Sequence, residues 1–200
     1  DIVASGSQKG YMIPPGLSFI AMSQKAWEAA EKSNLPKFYL NLKSYRKSLL
    51  TNSNPYTPAV NLVFALDEAL KMMREEGLDN IFQRHNKHKL AMSNAVKALN
   101  LKLFADEKYL SPSITAIKTE GIDAEEFRKT IKNNFDILLA GGQDHLKGKI
   151  FRVGHLGYVN DRDIITVVSA MSNTLLKLGK ISAQQAGEAL VVASRYLGEN

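Results

Sequence analysis

The sequence of 200 residues contains no cysteine, a single tryptophan and no long apolar run. Without cysteine, this chain cannot form a disulfide framework or bind zinc through thiolates. None of its apolar stretches approaches the roughly 18 residues that are needed to span a bilayer. We therefore expect a cytoplasmic protein that does not act in a membrane.

Basic residues exceed acidic ones, 26 to 20, which gives a formal net charge of +6. A nucleic-acid-binding surface usually combines clustered basic residues with interleaved aromatic ones, and this sequence has no such cluster. We do not expect nucleic-acid binding. An alternative is a non-catalytic interaction module whose basic surface meets an acidic partner, a contact that moderate salt would screen.

The first part of the chain has the pattern of an α/β segment. It opens at Asp1, directly before an apolar strand, so we expect a piece of a longer protein. The elements predicted from apolar runs, glycine, proline and capping residues are buried strands at Ile2–Ala4 and Leu17–Met22, helices from Ser23 to about Lys32 and over Asn41–Leu50, and a helix whose N-cap is Thr57 and whose first helical residue is Pro58. Gly77 is expected to end that last helix.

The remainder predicts a small sheet covered by helices on one face, an α+β layer. The expected strands are Ile114–Lys118, Ile137–Ala140 and Ile150–Val153. Helix starts are predicted at Asp123 with Glu126, at Asn160 with Asp163 and at Ser182 with Gln185, because each pair has capping-box spacing. The predicted division is residues 1–75 and 76–200.

Lys9 is the first candidate for chemistry, because it follows an apolar strand and a small-residue turn and precedes Pro14-Pro15. A burial-prone setting disfavours the charged amine, and a neutral lysine can form a Schiff base with an aldehyde. The alternative is a lysine whose ammonium reaches solvent. The tripeptide Ser-Gln-Lys recurs at Ser23–Lys25, where it opens a helix, so the tripeptide alone indicates nothing.

Arg152 is the second candidate. Strand alternation places it on the face opposite to Phe151 and Val153, next to Gly154. A guanidinium in that setting is suited to bind a carboxylate through two parallel hydrogen bonds. The alternative is a surface arginine on an edge strand.

Other motifs have simpler explanations. His85 and His88 have i, i+3 spacing on a predicted helix but lack the further ligands of a helical zinc site. Gly141-Gly142-Gln143 matches a tripeptide of translation release factors, although a strand-to-turn loop explains it better. Thr57 is sufficiently explained as an N-cap, and a phosphate at that helix N-terminus stays open.

Taken together, these stretches resemble the class V pyridoxal-phosphate-dependent aminotransferases, the alanine–glyoxylate and serine–pyruvate group. The resemblance also lies close to the cyanobacterial branch labelled soluble hydrogenase tritium-exchange subunit. The residues that carry it are Ser5-Gly6-Ser7-Gln8-Lys9 with Pro14-Pro15-Gly16, Tyr56-Thr57-Pro58, Glu76-Gly77-Leu78 with Arg84-His85, Gly141-Gly142-Gln143, Lys147-Gly148-Lys149 and Phe151-Arg152-Val153-Gly154-His155-Leu156-Gly157.

The resemblance implies the C-terminal part of a fold-type I α/β transferase: the end of the large cofactor domain followed by the small α+β domain. It implies pyridoxal 5'-phosphate as cofactor, bound by Lys9 as the Schiff-base lysine and by Gln8 at the phosphate. Arg152 would bind the substrate α-carboxylate, and Thr57 would reach the phosphate in the neighbouring subunit of a homodimer.

The implied reaction is amino transfer from a small amino acid, serine or alanine, to a 2-oxo acid, glyoxylate or pyruvate. The family's phosphate loop, stacking aromatic residue and pyridine-binding aspartate would lie upstream of this chain, so we expect the isolated chain to be inactive. A related pyridoxal-phosphate lyase is a further alternative.

Overall fold

The computed structural model describes residues 1–198 and divides the chain into two compact units. Unit 1 comprises Asp1–Glu75, and unit 2 comprises Glu76–Asn200, of which the structure describes residues 76–198. In the described part of the chain, the helices lack the combination of length and apolar character that crossing a membrane would require.

Unit 1 contains a two-stranded antiparallel ribbon, two whole helices and all but the last residue of a third. The elements are β1 (Ile2–Gly6), β2 (Ser18–Met22), α1 (Gln24–Lys32), α2 (Leu42–Leu49) and α3 (Val60–Glu76). The strands pair from Ile2 with Met22 to Gly6 with Ser18. Ser23 caps α1 as predicted, because its side chain accepts a hydrogen bond from the amide of Ala26 at 3.2 Å.

Within residues 76–198, unit 2 is a four-stranded antiparallel sheet with four α-helices and two short 3₁₀ helices, Glu107–Tyr109 and Asp144–Leu146. Its elements are α4 (Leu78–Ala98), β3 (Lys102–Leu103), β4 (Ile114–Lys118), α5 (Ala124–Phe135), β5 (Ala140–Gly141), β6 (Ile150–Gly154), α6 (Asp161–Lys177) and α7 (Ala183–Gly198). The strand order is β3-β4-β6-β5, so β6 lies inside the sheet. Gly77, at φ 82°, separates α3 from α4.

The core of unit 2 lies between one face of this sheet and the helices. Thr115, Ile117, Phe151 and Val153 are buried, whereas Ala116 and Arg152 on the alternate face are only partly buried. The rings of Phe127 on α5 and Phe151 on β6 pack with centroids 5.1 Å apart. The predicted one-sided layer is therefore confirmed, and Arg152 lies on the face away from the core.

Three of the predicted details are wrong. The strands of the ribbon form where expected but are exposed, with Val3 at 67% exposure, because each pairs only with the other. The strand expected at Ile137–Ala140 is instead Ala140–Gly141. Helix α3 begins at Val60, so Thr57 is not its N-cap; the amide of Val63 bonds to the carbonyl of Ala59. The short strand β3 was not predicted.

Candidate functional site

The turn that carries Lys9 is organised by Ser7, which is fully buried. Its hydroxyl donates to the carbonyl of Pro14 at 2.8 Å and accepts from the amide of Leu17 at 3.1 Å. Its own amide donates to the carbonyl of Leu17 at 3.0 Å. Ser7 therefore closes the loop between β1 and β2 and fixes the base of the turn that follows it.

Lys9 lies at the tip of that loop, where its carbonyl accepts a bond from the amide of Met12 at 3.0 Å. The burial expected for Lys9 is not observed, since its side chain is exposed within unit 1. The buried residues of the loop are Ser7 and Ile13. Gln8 is also exposed, and its amide oxygen lies so close to Gly6 that a Cβ on that glycine would be 2.8 Å away.

Sequence reasoning missed Ser7, although a signal was present. A serine in a turn between an apolar strand and a Pro-Pro corner is well placed to satisfy backbone groups that no strand pairs. Ser23, in the second Ser-Gln-Lys copy, satisfies backbone groups in the same way, but at a helix start.

Thr57 is exposed and precedes α3 by three residues. It belongs to the segment 52–58, which lines an open depression on the surface of unit 1. The neighbouring Tyr56 fixes this segment, because its ring packs on that of Tyr39 at 4.7 Å and its hydroxyl donates to the carbonyl of Phe38 at 3.2 Å. The Thr57 side chain is accessible to a ligand from solvent, without the support of a helix N-terminus.

Arg152 is held on the open face of the sheet in unit 2. Its register partners are Ala116 on β4 and Ala140 on β5, so a small side chain lies on each side of the guanidinium. Its Nε donates to the carbonyl of Gly141 at 2.9 Å. For residues 1–198, the structure gives Nη1 and Nη2 of Arg152 no hydrogen-bond partner. This arrangement leaves the outer edge of the guanidinium free for a carboxylate. The edge-strand alternative is wrong, because β6 is an inner strand.

The Gly141-Gly142 pair makes the sharp turn beside Arg152. A Cβ on Gly142 would lie 2.0 Å from the carbonyl oxygen of Leu146, so no other residue fits without a shift of the backbone. The amide of Gly142 donates to the carbonyl of Ile150 at 3.1 Å. The motif is thus the end of a strand and the following turn, as expected.

Two buried histidines support the segment that follows β6. The Nε2 atom of His155 lies 2.8 Å from the Thr115 hydroxyl and its Nδ1 atom lies 3.1 Å from the carbonyl of Pro112. Burial lowers the pKa of His155 to about 4. His88 is also fully buried beside Asp161, at 2.9 Å, and burial lowers its pKa as well.

Arg84 and His85 connect α4 to the same segment. Arg84 pairs with Glu76, with Nη2 and Oε2 2.9 Å apart, and donates to the carbonyls of Gly157 and Val159. Hydrogen bonding from Arg84 lowers the pKa of Glu76. Nε2 of His85 accepts from the amide of Gly157 at 3.1 Å. His85 and His88 thus bind different partners, and both act in holding this segment.

Arg84 also borders a cleft of about 520 Å³ on unit 2. Lys87, which lines the same cleft, pairs with Asp161 at 2.9 Å. Arg84 and Lys87 are thus already paired, whereas Arg162, which also lines this cleft, is exposed. Lys9, Gln8 and Thr57 belong to unit 1 and Arg152 belongs to unit 2, so Arg152 is the expected site residue that unit 2 supplies.

The fold defines a class of protein, the fold-type I pyridoxal-phosphate-dependent transferases, on whose solved members this chain superposes. The family model for "Aminotransferase class-V" matches residues 1–166. The chain belongs to the class-V aminotransferase family.

Relatives agree with this assignment. The chain is 55% identical over 197 residues to "Soluble hydrogenase, small subunit" of Synechococcus sp., covering 98% of this chain and 51% of that protein. It is 36% identical over 208 residues to the serine–glyoxylate aminotransferase of Methylorubrum extorquens, covering 100% and 51%. Pyridoxamine–pyruvate aminotransferase from Mesorhizobium loti superposes with a TM-score of 0.90 at 26% identity, covering 98% and 51%. The chain thus spans about half the length of these relatives.

Proposed function

We propose that this chain is the C-terminal half of a pyridoxal-phosphate-dependent aminotransferase that moves an amino group between a small amino acid, serine or alanine, and a 2-oxo acid, glyoxylate or pyruvate. The observation that carries the proposal is the class-V match over residues 1–166, which includes Lys9, Thr57 and Arg152. A relative named serine–glyoxylate aminotransferase, 36% identical, supports the substrate class.

The residues present suit the cofactor. The primary amine of Lys9 is accessible, which a covalent bond to an aldehyde requires. Gln8, beside it, offers an amide that can donate to a phosphate, and the exposed hydroxyl of Thr57 can do the same. When bound, the cofactor would withdraw electrons from the substrate carbon that loses its proton.

The three side chains then have separate roles in the proposed reaction. Lys9 binds the cofactor and afterwards moves a proton at the substrate α-carbon through its Nζ atom. Arg152 orients the substrate by binding its carboxylate through Nη1 and Nη2. Thr57 acts across the interface of a homodimer. Unit 1 leaves Lys9 exposed, so we propose that the half of the relatives' length outside this chain supplies the desolvation that favours the neutral amine.

Borohydride trapping tests the role of Lys9. The protein is prepared at the length of its relatives, mixed with pyridoxal phosphate, reduced and mapped by peptide mass spectrometry. We expect the label on Lys9, and its loss in Lys9→Ala. Lys25→Ala is the matched control, because Lys25 ends the second Ser-Gln-Lys copy and is exposed. Label spread over surface lysines in proportion to exposure would contradict the proposal. The same experiment on this chain alone tests whether it binds the cofactor without the other half, and we expect at most incidental labelling.

A second candidate function is a non-catalytic subunit. The observation that favours it is the name of the Synechococcus relative, which describes a subunit of a hydrogenase. This chain has no cysteine to offer to a metal cluster, so its role in such an assembly would be binding through its basic surface. If the full-length protein transfers no amino group from serine to glyoxylate, that result would favour this candidate. A cytoplasmic location stays a prediction.

A further inference from the structure

The edge strand β5 in unit 2 pairs with β6 and is also supported by an arginine of α5, which binds the residue just before the strand. Nε of Arg128 donates to the carbonyl of Leu139 at 2.8 Å, and its Nη1 pairs with Glu125 at 2.7 Å. A Cβ built on Gly141 would lie 2.7 Å from Nη1 of Arg128 and 3.1 Å from a carboxylate oxygen of Glu125. The Arg128–Glu125 pair therefore occupies the space that any side chain at position 141 would need.

The carbonyl of the same glycine is the group that holds Arg152. Nε of Arg152 donates to it at 2.9 Å, while Gly141 pairs in register with Phe151, the residue before Arg152. A guanidinium whose Nε is already bonded cannot present the edge that contains Nε to a ligand. The edge formed by Nη1 and Nη2 therefore faces the ligand. The aim of the guanidinium thus depends on the position of one backbone carbonyl in a strand of only two residues.

We infer that Gly141 is a positioning residue for carboxylate recognition by Arg152, and that Arg128 acts through Gly141. This inference rests on the proposed function of Arg152. A methyl group at position 141 must displace either the Arg128 side chain or the strand itself. Displacement of Arg128 removes its support of the Leu139 carbonyl, and displacement of the strand moves the Gly141 carbonyl itself; we expect the resulting loss of its bond to Nε of Arg152 to spoil the bidentate geometry that a carboxylate requires.

The first experiment uses the 200-residue chain and observes arginine Nε–H signals by NMR. The signal of Arg152 is assigned by its loss in Arg152→Lys. We expect slow hydrogen exchange of this Nε–H in the native chain and fast exchange in Gly141→Ala. Gly187→Ala is the control, because a Cβ on that glycine meets no atom within 4 Å. Slow exchange that persists in Gly141→Ala would overturn the inference.

The second experiment uses the protein at the length of its relatives, with pyruvate and glyoxylate as probes. Because a lost charge-assisted hydrogen bond weakens binding by roughly tenfold or more, Gly141→Ala is expected to raise the KM for both by that factor while kcat changes less. Arg128→Ala is expected to raise KM in the same direction, and to add little in the Gly141→Ala background, because both act on one carbonyl.

The outcomes separate the two proposals. If Arg152→Lys raises KM and Gly141→Ala does not, the positioning role is wrong and the carboxylate assignment of Arg152 stands. If Arg152→Lys leaves KM unchanged, the assignment of Arg152 is wrong and the positioning role falls with it. A fall in kcat or stability of Gly141→Ala at constant KM would show a merely structural glycine.

Discussion

The two units differ in how completely they bury their own apolar side chains. In unit 2 the sheet and helices enclose aromatic and branched residues such as Phe127, Phe151 and Ile131, each at most 1% exposed. In unit 1 the buried apolar residues are Ile13, Ala26 and Ala69, among the residues described. Large side chains of unit 1 are exposed instead: Leu35, Phe38, Leu40, Leu49, Leu50 and Phe64 each exceed 70%.

This difference shows what each part of the chain contributes. Since burial of apolar surface is the main favourable term in folding, unit 2 has the means to hold its site residue in place by itself. Unit 1 holds the Lys9 turn through the hydrogen bonds of Ser7, with little core beneath it. An exposed apolar surface of this extent is typical of a surface that another protein segment covers.

The largest expected effect comes from the core of unit 2. We expect Phe151→Ala to lower the free energy of unfolding by about 3–5 kcal/mol, because it removes a fully buried ring that packs on Phe127. Phe38→Ala in unit 1, where the ring is 80% exposed, is expected to change it by less than about 0.5 kcal/mol. Denaturant unfolding followed by circular dichroism measures both.

Fluorescence of Trp27, the only tryptophan, gives a separate probe of unit 1 in the same titration. We expect Phe151→Ala to shift the circular dichroism transition more than the fluorescence transition. Equal losses for Phe151→Ala and Phe38→Ala would contradict the contrast between the two units.

The second effect is a dependence of the stability of unit 2 on pH. His155 has a pKa of about 4 in the folded protein and an ordinary value of 6.5 when unfolded. His155 therefore binds a proton below about pH 6.5 in the unfolded chain, but only below about pH 4 in the folded chain. The free energy of unfolding is thus fully retained above pH 7 and falls as the pH is lowered from 6.5 to 4, by up to about 3 kcal/mol.

Chemical denaturation at a series of pH values measures this dependence, and buried His88 contributes in the same direction. We expect His155→Gln to be less stable at pH 7 and to show a flatter profile. His145→Gln is the matched control, because His145 is exposed. A profile of the His155→Gln variant as steep as that of the native chain would assign the acid sensitivity to other groups.

The smallest expected effect concerns two residues that the sequence predicts as helix caps, Asn160 in unit 2 and Thr57 in unit 1. Asn160 and Asp163 form a reciprocal capping box at the start of α6, so Asn160→Ala is expected to cost about 1 kcal/mol. Thr57→Ala is expected to change stability by less than about 0.5 kcal/mol, because Thr57 lies outside α3. Thermal unfolding of the two variants measures the difference, and a cost for Thr57→Ala as large as that for Asn160→Ala would restore the capping role that the structure excludes.

Sequence by itself determined the elements whose signals are local. The span of β4 and the end of α1 at Lys32 follow the predictions. The starts of α6 and α7 do so as well, because a cap joins groups only two or three residues apart. The same locality explains why Thr57 was misassigned: threonine followed by proline is a common helix start, and only the backbone beyond it shows that the helix begins at Val60.

Tertiary structure alone decided which groups are exposed and how they are aimed. Lys9 lies at the exposed tip of a loop whose buried Ser7 bonds to partners seven and ten residues away. Arg152 is aimed by the carbonyl of Gly141, and an arginine of α5 binds the carbonyl of Leu139 two residues earlier. Burial and orientation depend on residues that are distant in the chain, and the local sequence pattern around a residue does not predict those partners.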